Sequence, residues 1–345
     1  AVALSTIVRQ CELRNDDDRL REMWPVMLRG MEHLRRMRDD SFKLGKDYPA
    51  YGLFQPSFGD GGIYGPEPEY TTPMNVILGL SDAYRAGKRL KLPRYEEFGV
   101  FAQELMARMR ECIERDRGTT PEGIPYVPLS MAENESYKPQ TGCATIARVA
   151  FHGEFEPDDR IVTDLLRLID ACDDREGIPE CTGWRSDQSI YTYSSVRFAQ
   201  LLLQAGQREK AADYLYAFAN HASASRVWRE EQPVRETHSA EICGDMPHNW
   251  ASVEFIRLVR NLVVLETFTG VELLPGLPEE WLPRAGDSLV LEKTPTRFGK
   301  LSLELSVRGK GGYLLSVARE DGNQQPQYLG LHWAGKAVLD GGELE

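Results

Sequence analysis

The sequence predicts a mainly α-helical chain of antiparallel hairpins followed by a small antiparallel β-domain. Three observations predict it. Apolar residues recur at helical spacing through most of residues 1–270, the connections between those segments alternate between short and long, and beyond Phe268 the spacing changes to strict alternation.

Helical spacing marks about nine segments: Val2 to Arg14, Arg19 to Arg38, Pro73 to Lys88, Arg94 to Arg117, Thr141 to His152, Asp158 to Cys172, Asp187 to Ala205, Arg208 to Ala219 and Asn249 to Phe268. In the sixth, Ile161, Leu165, Leu168 and Ile169 share one face, with Asp164 and Arg167 expected off it. The connections "NDDD", "RLKLP", "GEFEP" and "GQ" suit tight helix–helix turns. Between them lie four long ones, Asp39 to Thr72, Gly118 to Gln140, Asp173 to Ser186 and Asn220 to His248. These exceed the usual length of roughly 2–8 residues. Antiparallel hairpins put every second connection at the same end, so the four long loops are expected to share one face, where loops carry function.

After Phe268, "VELLPGLPEEWL" is a proline-punctuated bridge. Leu301, Leu303, Leu305 and Val307 alternate as in a strand with one buried face, Gly309, Gly311 and Gly312 supply a turn, and "QYLGLHW" adds another strand. The domains are therefore drawn as residues 1–270, helical, and 271–345, β.

Bulk properties exclude several classes. The chain has 345 residues, 41% of them hydrophobic, enough for a sizeable core. A net charge of -12 without a clustered basic stripe argues against nucleic acid as the main partner. No apolar run approaches the roughly 18 residues that cross a bilayer, so membrane insertion is not expected. The cysteines Cys11, Cys112, Cys143, Cys172, Cys181 and Cys243 show no zinc spacing and read as buried free thiols. No metal or other cofactor is called for. P-loop, nucleophile-elbow and H-E-x-x-H motifs are missing, which removes nucleotide hydrolysis, esterase and zincin readings. The chain starts inside a helical pattern with no initiator Met, cap or leader, as a fragment or processed chain would; a missing N-terminal portion of the same protein is the expected partner.

The stretches "GDMPHNWASVEFIRLVRNLVVLE", "LLPGLPEEWL" and "TPTRFGKLSLEL" resemble the last barrel helix and following β-domain of six-hairpin glycosidases, among them α-L-rhamnosidase-like and related uncharacterised bacterial enzymes. The resemblance implies an (α/α)6 toroid whose first three helices are missing here, and a periplasmic or secreted setting. It also implies an inverting glycoside hydrolase, with the acid between helices five and six and the base between helices eleven and twelve. Those loops correspond to Asp39 to Thr72 and Asn220 to His248.

Glycoside hydrolysis needs two carboxyl groups flanking the scissile bond, one to protonate the leaving oxygen and one to activate water. In "FGDGGIYGPEPEYTTP", Asp60 precedes two glycines that permit close ligand approach and is the first choice as acid, with Glu69, stiffened by Pro68, as substitute. Glu230 and Glu231 follow Trp228 in a position resembling the Trp-Glu element that carries the base in rhamnosidase-like enzymes. Neighbours in an extended segment point opposite ways, so only one should face the site. Glu236, Glu241 and Asp245 compete, and ion pairing with Arg226, Arg229 or Arg235 is the plain alternative. Sugars present apolar ring faces and a hydroxyl rim, which makes Tyr64, Trp184, Trp228 and Trp250 candidate platforms and Arg185, Asp187 and His248 candidate polar contacts. Glu133 and Glu135 rank below these.

The expected substrate is an oligosaccharide or polysaccharide, cleaved by an exo-acting enzyme. A polysaccharide lyase acting on a uronate through Tyr191, His238, His248 or Arg185 is the second reading, and a carbohydrate-binding remnant without catalysis the third.

Overall fold

The computed structural model describes residues 2–56, 66–132, 137–138, 142–143, 153–172, 175–183, 188–234, 244–309, 311–320, 322–334, 336 and 338. Among these, the helical spacing becomes eight helices: α1 (Val2–Arg14), α2 (Asp17–Phe42), α3 (Thr71–Leu90), α4 (Tyr95–Asp116), α5 (Arg160–Ala171), α6 (Thr192–Gln204), α7 (Arg208–Asn220) and α8 (Asn249–Val263). Of the segment expected from Thr141 to His152, only Gly142 and Cys143 are described, both helical.

The helix ends follow local chemistry. Asp16 caps α2 by accepting from the Arg19 N–H at 2.9 Å, and Asp159 caps α5 by accepting from the Ile161 N–H at 3.0 Å. Pro73 lies in the first turn of α3, where its missing N–H has no helical partner to lose. One core runs through the helical part, from Trp24, Met27 and Met31 of α2 through Phe98, Phe101 and Leu105 of α4 to Phe198 and Leu202 of α6 and Phe218 of α7. α1 packs on α3, α3 on α4, and α6 on both α7 and α8.

Three expectations are corrected. Asp164 is buried on α5, because Arg117 at the end of α4 donates to its carboxylate. α6 starts at Thr192, since Ser189–Tyr191 forms strand β3 and pairs antiparallel with β4 (Glu231–Pro233). α8 stops at Val263, where two β-branched residues turn the chain into strand β5 (Val264–Glu266).

A short ribbon, β1 (Gly118–Thr119) with β2 (Pro125–Tyr126), follows α4. The β-part begins where α8 ends. β5 pairs antiparallel with β6 (Gly270–Leu273), and β7 (Ser288–Thr296), β8 (Gly299–Arg308) and β9 (Gly312–Arg319) form an antiparallel sheet. The expectation of wholly antiparallel pairing fails for β10 (Tyr328–Leu331), which runs parallel to β6. Gly270 makes that contact feasible, because a β-carbon there would stand 2.5 Å from the Tyr328 ring. Leu301, Leu303 and Leu305 of β8 are each 1% exposed and build a second core with Val264, Val271 and Phe298. Fully burying each leucine contributes about 1.5–3 kcal/mol.

Glu266 on β5 joins the two parts. It takes a two-pronged contact from Arg9 of α1 at 2.6 and 2.9 Å, another from Arg260 of α8 at 2.5 Å, and the Arg297 backbone N–H at 2.8 Å. Burial opposes ionisation here, but these donors outweigh it and hold the carboxyl well below its usual range.

Candidate functional site

The four long loops meet in pairs. Glu69 bridges to Ser130, flanked by hydrogen bonds from the Tyr70 N–H to the Leu129 carbonyl and from the Met131 N–H to the Pro68 carbonyl. The Tyr70 hydroxyl and the Ala132 N–H both donate to Asp116 at the end of α4, which anchors the two strands. The other two loops join through His221, whose Nε2 is 3.3 Å from Glu176, and β4 in the last loop pairs with β3 just beyond the third.

Glu69 is 1% exposed. Its Oε2 accepts from the Thr71 hydroxyl at 2.9 Å, while Oε1 is buried without a hydrogen-bond partner among the described residues, as is the hydroxyl of Ser130 across the bridge. Burial is the main cause that pushes this carboxyl up. A carboxyl that desolvation makes less acidic suits proton donation.

The second carboxyl centre is built on the start of α6. The Thr192 N–H, one of the donors that a helix start leaves open, bonds to the Glu230 carbonyl at 3.1 Å, and the Thr192 hydroxyl donates to the carbonyls of Arg229 and Glu230. The Glu230 N–H donates to the Asp245 carbonyl at 3.1 Å, and the His248 N–H to the Trp228 carbonyl at 2.8 Å. Residues 228–231 are thus held between β3 on one side and residues 244–248 on the other.

In this extended segment the two glutamates diverge. Glu231 is fully buried in the β3–β4 ribbon, 3.4 Å from the Ser189 hydroxyl. Glu230 is half-buried, beside Gly244, Asp245 and His248. Desolvation raises the Glu230 carboxyl, the His248 ring opposes that, and Glu231 and Asp245 add to it. His248 is buried, with Nδ1 donating to Asp245 at 2.9 Å; that hydrogen bond lowers the Asp245 carboxyl. His248 Nε2 is buried without a hydrogen-bond partner among the described residues.

Aromatic rings line one side of this centre. Tyr193 stacks on His248 at 5.3 Å and meets Trp250 edge-on at 5.3 Å. Trp250 is 49% exposed and open to a ligand. Trp228 serves otherwise: it is 5% exposed, its indole N–H bonds to the Phe218 carbonyl at 2.8 Å, and its ring packs on Phe218 and Phe255. That placement gives it the role of a loop anchor in place of the expected sugar platform. Asp60, Tyr64, Trp184, Arg185 and Asp187 lie outside the described residues, as do Glu133, Glu135, Glu236, His238 and Glu241.

Two members of the site escaped sequence reasoning. Tyr193 was hidden inside an expected helix, although the alternation Tyr191, Thr192, Tyr193 hinted at a strand entering it. Gly244 touches Glu230 so closely that no side chain fits, which only tertiary contact reveals. Among the described residues, Glu230, Asp245 and His248 are also the group whose donor atoms, all within 4.8 Å of one another, can hold a cation.

No protein-family model matches the sequence, and no curated protein matches it. Solved structures do resemble the fold. A structure named sialidase superposes with a TM-score of 0.64 at 11% identity, covering 92% of this chain and 31% of that one. A wild-type glycosidase gives 0.46 at 14% identity over 63% of this chain and 56% of that one. A metal-independent alpha mannosidase of Streptococcus pneumoniae gives 0.41 at 15% identity over 62% and 48%. The chain spans about half the length of the glycosidase structure and under a third of the sialidase. The sialidase likeness establishes a shared fold, a helical domain with a small β-domain.

Proposed function

We propose that this chain belongs to a glycoside hydrolase, exo-acting and inverting, built on an (α/α)6 toroid of the six-hairpin class. The observation that carries the proposal is the Glu230 centre: a half-buried carboxylate, set apart from its neighbour Glu231 by strand alternation, beside His248 and an open Trp250. Glu230 is the base that activates water. Glu69 is the acid within the described residues, in line with its desolvated carboxyl; Asp60 remains its competitor. Trp250 offers an apolar face to a sugar ring, and Tyr193 fixes His248 from behind.

The lyase reading is weaker. A tyrosine base must ionise readily, and burial pushes the Tyr191 phenol strongly the other way.

The test is a reducing-sugar assay of the full-length protein on terminal sialosides, mannosides and rhamnosides, with the product anomer followed by NMR. One released sugar of inverted configuration is expected. A new absorbing double bond in the product selects the lyase, and binding without product selects the non-catalytic remnant.

A further inference from the structure

The Sγ atoms of Cys143 and Cys172 stand 3.5 Å apart, although 29 positions separate them in the chain. We propose that they are an oxidisable dithiol that closes to a disulfide and clamps two of the long loops together. Cys143 lies three positions past Gln140, where the first loop ends, and Cys172 directly precedes the loop that starts at Asp173. One bond between them ties the exit of the first loop to the entrance of the second. The inference is independent of the catalytic assignment.

The surroundings favour closure. A disulfide has an S–S length of about 2.05 Å, so the sulfurs must approach by about 1.5 Å. The movement falls to the Cys172 end. Cys172 lies past the last turn of α5 in extended backbone, held by hydrogen bonds to the Leu168 and Ile169 carbonyls. Gly142, next to Cys143, is close-packed, since a β-carbon there would stand 2.9 Å from the Tyr137 ring and 3.1 Å from Leu168 of α5.

The two thiols differ in access, and this orders the chemistry. Cys143 is 1% exposed, and its contact with Cys172 together with burial pushes its thiol up, whereas Cys172 is half-buried. With a small disulfide such as glutathione disulfide as oxidant, Cys172 loses its proton and attacks one sulfur. The old S–S bond breaks, one glutathione thiol leaves, and a mixed disulfide forms. Cys143 then loses its proton and attacks the Cys172 sulfur, expelling the second glutathione. Two protein thiols are oxidised and one glutathione disulfide is reduced to two thiols.

The experiment oxidises the reduced, full chain with glutathione disulfide and maps the peptides by mass spectrometry. The expected result is a Cys143–Cys172 cross-linked peptide, a chain lighter by two hydrogen atoms, the other four cysteines still alkylatable, and reversal by dithiothreitol. Oxidised protein should also melt at a higher temperature than reduced protein, and the Cys143→Ser variant should stop at a Cys172–glutathione adduct. A wild-type chain that stops at that adduct, remains fully reduced, or pairs Cys172 with Cys181 overturns the proposal. The wild-type map decides this even where the variant fails to fold.

Discussion

Gly244 packs so tightly on Glu230 that a β-carbon at position 244 would stand 2.2 Å from the carboxylate Oε2 and 2.3 Å from the Glu230 β-carbon. Its φ of +88° adds a second demand, because that backbone region suits glycine. The pair therefore fixes where the carboxylate points. Gly244→Ala is expected to lower turnover by about 100-fold through misplacement of Glu230, since displacements of about 1 Å cost that much. Stability should fall by only about 1–3 kcal/mol. Steady-state kinetics and a denaturant titration check the two effects separately.

Glu230 and Glu231 should respond differently to the same change. Glu230→Gln is expected to reduce turnover by about 10²–10⁴-fold, the usual contribution of a general base. Glu231→Gln should act mainly on stability, because its side chain is buried in the β3–β4 ribbon. The raised Glu230 carboxyl also sets a sign. Between its unfolded value of about 4.3 and its higher folded value, the native state holds more protons than the unfolded one, so this group costs stability as pH rises through that window. Glu230→Gln should therefore be more stable than wild type at neutral pH and equal to it below pH of about 4. The acidic limb of kcat/KM should lie above the ordinary carboxylate range. Normal turnover in the Glu230→Gln protein would remove the assignment.

Glu69 is tested through its leaving group. A missing acid matters little when the departing oxygen needs no proton, so Glu69→Gln should lose about 10²–10⁴-fold on a natural glycoside and far less on a dinitrophenyl glycoside. Equal losses on both substrates would pass the acid role to Asp60.

Glu266 predicts an acid-labile junction. Its folded carboxyl is depressed, so its contribution to stability is fully present above the unfolded value of about 4.3 and is lost as pH falls towards the folded one. Replacing it leaves Arg9 and Arg260 without their buried partner. Glu266→Gln is expected to cost about 3–5 kcal/mol at pH 7 and progressively less as pH falls below about 4. Urea titrations of both proteins across that range give the answer.

Chelation addresses the same three donors that surround Glu230. Because His248 Nδ1 already satisfies Asp245, dialysis against EDTA is expected to leave turnover unchanged. Loss of activity restored by a divalent cation would reassign Glu230, Asp245 and His248 as metal ligands.

Periodicity alone located most helices and the inward leucines of β8, because burial of one face imposes a repeat on the sequence that any reader can count. The alternation of short and long connections predicted one shared face for the four long loops, and the described contacts join them two by two. Strand alternation anticipated that Glu230 and Glu231 would part ways, and the fold assigned the faces: Glu231 into the ribbon, Glu230 towards Gly244 and His248. The remaining corrections share one cause. Asp164 is buried because Arg117 reaches it from the end of α4, and β10 lies close along β6 because Gly270 admits the Tyr328 ring. Trp228 turns inward because the Phe218 carbonyl and two phenyl rings receive it. Each is decided by a partner distant in sequence, and a local pattern carries no record of which distant group will arrive. The sequence by itself determined which residues were eligible for chemistry; the tertiary contacts decided which of them face one another.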